Sequence, residues 1–138
     1  TPLAKEALFI VTSDKTLAQS GPRAIEDLLD RHWLLREPGS GTRETFLRKI
    51  TPRGLRPKIF LEFEHNDPIK LLLHNPGTLS CLSPRVVQRE LEAGELFAVA
   101  VNDIRFDRTF YRVEHRDRPF SALRDALSNA VQSCLREG

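Results

Sequence analysis

Apolar residues in this chain come in short runs, none longer than six, and the runs alternate with stretches whose apolar residues recur every three or four positions. That alternation constrains the fold more than any other feature. A short unbroken apolar run suits a buried strand, and a three-and-four recurrence suits one face of a helix. Strands alternating with helices of about ten residues indicate βαβ units, hence an α/β fold with a mostly parallel sheet flanked by helices. The same run lengths exclude a membrane-spanning helix, which needs ~20 consecutive apolar residues.

Along the chain, Glu6 to Ser13 (EALFIVTS) predicts a first strand buried on both faces. Pro22 opens a predicted helix over about 22–31, with Ile25, Leu28 and Leu29 on one face. Trp33 to Arg36 predicts a strand, Glu37 to Arg43 a turn, and Phe46, Leu47 and Ile50 the inner side of a second helix. Lys58 to Glu64 has strand composition, and Asp67 and Pro68 form a cap and first-turn pair opening a helix through Leu73. Thr78 to Leu82 predicts another strand, and Ser83-Pro84 a helix carrying Val86, Val87 and Leu91 that Gly94 stops. Leu96 to Val101 and Phe106 to Arg116 read as strands, and Leu123, Leu127 and Val131 as the stripe of a C-terminal helix.

With 138 residues the chain is one domain at most, and a net charge of +2 from 21 basic and 19 acidic residues gives no electrostatic footprint for nucleic acid. Residues 1–20 lack the layout of a secretory signal, and Cys81 and Cys134 have no paired spacing. A reducing compartment, the cytoplasm, is the expectation. Absence of methionine, including at position 1, fits a fragment or a processed chain.

In open α/β sheets ligands sit beyond the carboxyl ends of the strands. The predicted ends are Thr12-Ser13, Glu37 to Thr42, Glu64 to Asp67 and Ser80 to Ser83. The turn Gly39-Ser40-Gly41-Thr42-Arg43 opens a helix, so unpaired N–H groups and the positive end of the helix dipole make an anion its natural tenant, aided by Arg36 and Arg43. The plainer alternative is that Ser40 caps its own helix and the glycines only make the turn. It is no Walker loop, because no Gly-Lys-Ser or Gly-Lys-Thr follows, and no dinucleotide fingerprint, because Glu44 stands where the third glycine belongs. Glu62, Glu64, His65 and Asp67 crowd one strand end, where an acid/base pair is conceivable and structural roles are the plainer reading. His32, His65, His74 and His115 stand singly, so zinc is not expected; neither is any catalytic residue or cofactor.

The string Trp33-Leu34-Leu35-Arg36-Glu37-Pro38-Gly39-Ser40-Gly41-Thr42-Arg43 resembles the central signature of the effector-binding domain of LysR-type transcriptional regulators. Ile25 to Leu28 is similar to the helix ahead of that signature, and Glu62 through Lys70 to the strand and helix after it; Leu79 to Arg85, Glu90 to Leu96 and Phe110 to Val113 follow in the family's order. The resemblance implies a periplasmic-binding-protein-like (type II) subdomain. Residues 1–105 would form the second regulatory subdomain. Residues 106–138 would be the return crossover strand and C-terminal helix belonging to the first, with DNA bound only through an N-terminal domain outside this sequence. It implies a small, anionic effector held by Thr12, Ser13, Ser40, Gly41, Thr42, Arg43, His65, Asn66 and Ser80. It also implies a homo-oligomer, a dimer or tetramer in the parent, meeting through Ile59, Ile69, Leu72 and Leu73, with no membrane partner. Asn75-Pro76-Gly77-Thr78 departs from the family, which usually has a Gly-x-Gly turn there. The stripe Leu123, Leu127, Val131 and Leu135 would cover strands of the first subdomain, so segment 106–138 is expected to pack differently here, most simply by exchange with a second copy. Two other readings remain open: a small-anion binding protein with no DNA role, and an enzyme using Glu62, Glu64 and His65.

Overall fold

The computed structural model describes residues 2–111, 127 and 129–134. Its strands are β1 (Pro2–Thr12), β2 (His32–Arg36), β3 (Ile59–Phe63), β4 (Thr78–Leu82), β5 (Phe97–Val99) and β6 (Phe106–Tyr111); its helices are α1 (Lys15–Gln19), α2 (Gly41–Ile50), α3 (Asn66–Leu72) and α4 (Gln88–Glu92). The sheet order is β3-β2-β4-β1-β5, with β6 also pairing β1. β2 is parallel to β3 and β4, whereas β1 is antiparallel to both β4 and β5. Thus β2, β3, β4 and β5 run one way and β1 runs against them, which makes the sheet mixed.

Two compact units divide the chain: Ala7–Phe106, and Thr1–Glu6 with Asp107–Gly138. Because β1 runs through both, no single cut along the sequence separates them. In the smaller unit Arg108 donates to Glu6 at 2.8 Å and lies over the Phe110 ring. Leu127 and Val131 of the C-terminal stripe are exposed. Leu123, Leu135 and the 112–116 end of the expected last strand lie outside the described residues, as does most of what the expectation for segment 106–138 concerns.

The larger unit has apolar layers on both faces of its sheet. Leu8 and Ile10 of β1, Trp33 and Leu35 of β2, and Leu79 and Cys81 of β4 pack with Ile25, Leu28, Phe46 and Ile50. Val11, Leu34 and Leu82, the alternate residues of the same strands, pack with Ile69, Leu73, Val87 and Leu96. Side chains alternate across a strand, so a strand covered on both faces must read as an unbroken apolar run. The Trp33 ring stacks on Phe46 at 4.8 Å, Phe46 meets Phe106 at 5.2 Å, and the Trp33 indole N–H donates to the Leu28 carbonyl at 3.0 Å.

Three local expectations are corrected. Only a 3-10 turn, Ile25–Leu28, forms within 22–31, because Arg23 is pulled straight: its N–H donates to Ala100 and its carbonyl accepts from Asn102, both at 3.0 Å. The unanticipated α1 starts instead at Asp14, whose carboxylate accepts from the Leu17 N–H. Third, α3 is capped at His65, so Asp67 lies in the first turn rather than at the cap, and Ile69 and Leu73 face the core with no exposed area.

Phe46→Ala empties the centre of the larger aromatic cluster and is predicted to cost ~3–5 kcal/mol, read as a lower urea midpoint. Phe60→Ala, on the open side of edge strand β3 and 53% exposed, is predicted to cost ~1 kcal/mol or less.

Candidate functional site

The carboxyl ends of β2, β3 and β4 lie at one end of the sheet, and the loops leaving them converge there. β2 ends at Arg36 and β3 at Phe63, paired residue to residue in parallel register. Arg36 Nη1 donates to the Asn66 side chain at 3.0 Å, joining the loop after β2 to the first residue of α3. Arg36 Nη2 donates to Glu37 at 2.8 Å. Arg43, in the first turn of α2, reaches back to the Arg36 carbonyl and to Glu62, each at 3.0 Å, so that α2 is tied to both strand ends.

At the opening of α2, Ser40 is the cap residue by backbone conformation, with φ −62° and ψ 133°, yet its side chain makes no capping hydrogen bond. The plainer expectation for Ser40 is therefore not what forms. First-turn N–H groups of a helix have no acceptor in its own ladder, so the start of α2 brings the positive end of the helix dipole to this end of the sheet. Glu44 partly balances this charge, its carboxylate 3.4 Å from the Gly39 N–H. Gly39 takes φ 93°, a left-handed value that glycine adopts without strain.

The expected residues thus separate into those this end collects and those it does not. Ser40, Gly41, Thr42, Arg43 and Asn66 are gathered there, with His65 exposed beside Asn66. Arg43 is spent on bracing. Thr12 and Ser13 are at the opposite end: β1 runs against β4, and the Thr12 hydroxyl donates to Thr78, the first residue of β4, at 3.4 Å. At ~3.3 Å per residue, the length of β4 holds them roughly 13 Å from the collected loops. The Thr12 hydroxyl also accepts from the Asp14 N–H at 3.0 Å, turning the chain into α1. Ser80 is wholly buried in mid-strand, its hydroxyl donating to the Leu34 carbonyl at 2.6 Å. Ser83, which the site reading passed over, is the residue that leaves β4 at the collected end; its hydroxyl accepts from the Arg85 N–H. The signal was available, since Ser83 follows an apolar strand whereas Ser80 interrupts one.

The acidic cluster does not become an acid/base pair. Glu62 is held by Arg43, and Glu64 and His65 are exposed. Among the described residues no group of three His, Cys, Asp or Glu side chains converges as metal ligands, and no helix is long and apolar enough to cross a membrane.

A mixed sheet layered on both sides, with a glycine turn and helix start at the carboxyl ends of its parallel strands, is the periplasmic-binding-protein-like (type II) fold of LysR effector-binding domains. The family description "LysR substrate binding domain" matches residues 1–135, and the chain belongs to that family. The uncharacterized HTH-type transcriptional regulator YeiE of Escherichia coli (strain K12) is 34% identical over 134 residues, covering 97% of this chain and 43% of that protein; the chain therefore spans less than half of this relative's length. The Synechocystis PCC6803 CcmR regulatory domain in complex with 2-PG has a TM-score of 0.83 at 21% identity, covering 98% of this chain and 65% of that one. The QuiR effector-binding domain in complex with shikimate has a TM-score of 0.78 at 18% identity, covering 99% and 64%. These are effector domains of transcription regulators rather than enzymes, and with Glu62 already paired the enzyme reading is set aside.

α3, which carries Asn66 into the site, is clipped to α4 by Lys70 and Glu90 at 2.7 Å, both side chains largely buried. Burial alone would raise the Glu90 carboxyl, but the hydrogen bond from Lys70, Glu90's own backbone N–H and the Lys70 and Arg89 charges hold it below its ordinary 4.5. A folded value below the unfolded one stabilises above the unfolded pKa and is lost as pH falls through the folded one. Glu90→Gln is predicted to lower stability by about 1 kcal/mol at neutral pH, with the gap to wild type closing below pH 4.5 in urea titrations at several pH values.

Proposed function

We propose that this chain is part of the effector-sensing domain of a LysR-type transcription regulator and that it binds a small anionic molecule at the carboxyl ends of β2 and β3. Ser40, Gly41 and Thr42 would hold the anion, with Asn66 and His65 at its rim. One observation carries this reading: a ten-residue helix opens at that sheet end with its cap hydroxyl unused and Arg36 beside it. Oriented N–H groups, a dipole end and a fixed guanidinium all favour negative charge. On this reading Ala7–Phe106 is the second regulatory subdomain, β6 and the C-terminal helix go with the first, and a DNA-binding segment lies outside this sequence.

We also propose that the edge formed by β3 and α3 pairs with a second copy. β3 is an edge strand of the sheet, and Ile59, Phe60 and Leu61 on it are exposed together with Leu71 and Leu72 of α3. On this proposal Ile59 and Leu72, both exposed, would serve at the interface with Leu71, whereas Ile69 and Leu73 are buried in the core and could not. An unpaired apolar edge is costly in water and is closed most simply by a two-fold partner.

Calorimetric titration with sulfate, inorganic phosphate and acetate tests the first proposal. At least one should bind, and Thr42→Val should weaken it about five- to tenfold by removing one hydrogen bond; absence of binding, or indifference to Thr42→Val, counts against the site. For the second, light scattering should give a dimer that Leu71→Glu with Leu72→Asp reduces to a folded monomer; a dimer unaffected by the double change places the interface elsewhere.

A further inference from the structure

The Arg36 guanidinium is incompletely used. Its Nη1 donates to Asn66 Oδ1 at 3.0 Å. Its Nη2 donates to Glu37 Oε1 at 2.8 Å, while Oε2 of the same carboxylate stands 3.5 Å from that same nitrogen. Nε is buried and has no hydrogen-bond partner. Nε and Nη2 form the side-on edge of the guanidinium, the edge that grips a carboxylate, sulfate or phosphate through two parallel hydrogen bonds. Glu37 therefore occupies half of that edge. A residue directly following Arg36 in the chain cannot easily bring both carboxylate oxygens square to it.

From this we infer that Arg36 is the residue that receives the charge of an oxyanion effector, and that Glu37 is a built-in, imperfect competitor for the same edge. The inference rests on the anion-binding reading above. Arg36 is fixed from the other side by Asn66, so the guanidinium is already held in place and an incoming anion has only to displace Glu37. Glu37 is about a third exposed, so its carboxylate can swing into water when displaced. Arg43 cannot play this part, because its side chain is largely buried and already shared between the Arg36 carbonyl and Glu62. A ligand presenting two oxygens in a plane satisfies Nε and Nη2 together, which the resident glutamate does not. The expected selectivity is for carboxylates, sulfate and phosphate over halides.

The test is calorimetric titration of the full chain and its Glu37→Gln and Arg36→Lys variants with sulfate, inorganic phosphate and chloride, with the Arg36 Nε–H resonance followed by NMR in wild type. Removing the competitor is expected to tighten oxyanion binding about three- to fivefold, in keeping with a partly exposed ion pair. Arg36→Lys, which keeps the charge and loses the fork, is expected to weaken it on the order of tenfold. The Nε–H resonance should move with sulfate and not with chloride. If that variant does not fold, Glu37→Gln and the resonance decide. Oxyanion binding that is equal or weaker in Glu37→Gln, with an unmoved Nε–H signal, overturns the role of Arg36 and leaves the anion site standing. No oxyanion binding to any of the three proteins overturns both.

Discussion

The reversed direction of β1 governs which loops gather at each end of the sheet. β1 lies between β4 and β5 and is antiparallel to both, so it contributes hydrogen bonds to the middle of the sheet without contributing a carboxyl end to the side where the loops gather. Its last residues are consumed in a turn: Thr12 bonds to Thr78 and Asp14, and Asp14 caps α1. What remains at the other end are the exits of β2, β3, β4 and β5, and the loops after the first three carry the residues tied together there. Burial on both faces stabilises this arrangement, with the Trp33, Phe46 and Phe106 rings on one side and Leu34, Ile69 and Leu82 on the other.

Three charged contacts give the collected end its shape. Arg43 ties α2 to the ends of β2 and β3, Arg36 ties β2 to the start of α3, and Lys70 with Glu90 ties α3 to α4. Each lies partly shielded from water, where such contacts are worth more than on an open surface. Together they hold two helix starts side by side, and the site reading follows from that placement rather than from any single residue.

Elements whose apolar pattern is self-sufficient were legible. Trp33 to Arg36 and Thr78 to Leu82 are strands, and Phe46 and Ile50 mark the buried side of α2, because burial on those faces is written into consecutive residues. Strand direction is not written that way. Nothing within EALFIVTS records that it runs against its neighbours, and so the sequence places Thr12 and Ser13 beside Ser40 and Thr42, an arrangement the antiparallel register does not give. Ser80 illustrates a second limit: a hydroxyl in a strand looks available until the neighbouring carbonyl of Leu34 is known. Helix α3 illustrates a third, since a triple leucine does not reveal which member faces in; Leu73 does, and Leu71 and Leu72 face out. The signature Trp33 to Arg43 was the most informative stretch, and the structure adds that its two arginines do different work.

The central claim, that effector chemistry belongs to the carboxyl ends of β2 and β3, is tested most directly by mapping amide shifts during a sulfate titration of isotope-labelled chain. The account predicts saturable shifts at Gly39 to Arg43 and at Asn66, with Thr12, Ser13 and Ser80 unmoved. Shifts centred on Thr12 and Ser13, with the α2 start silent, would contradict it.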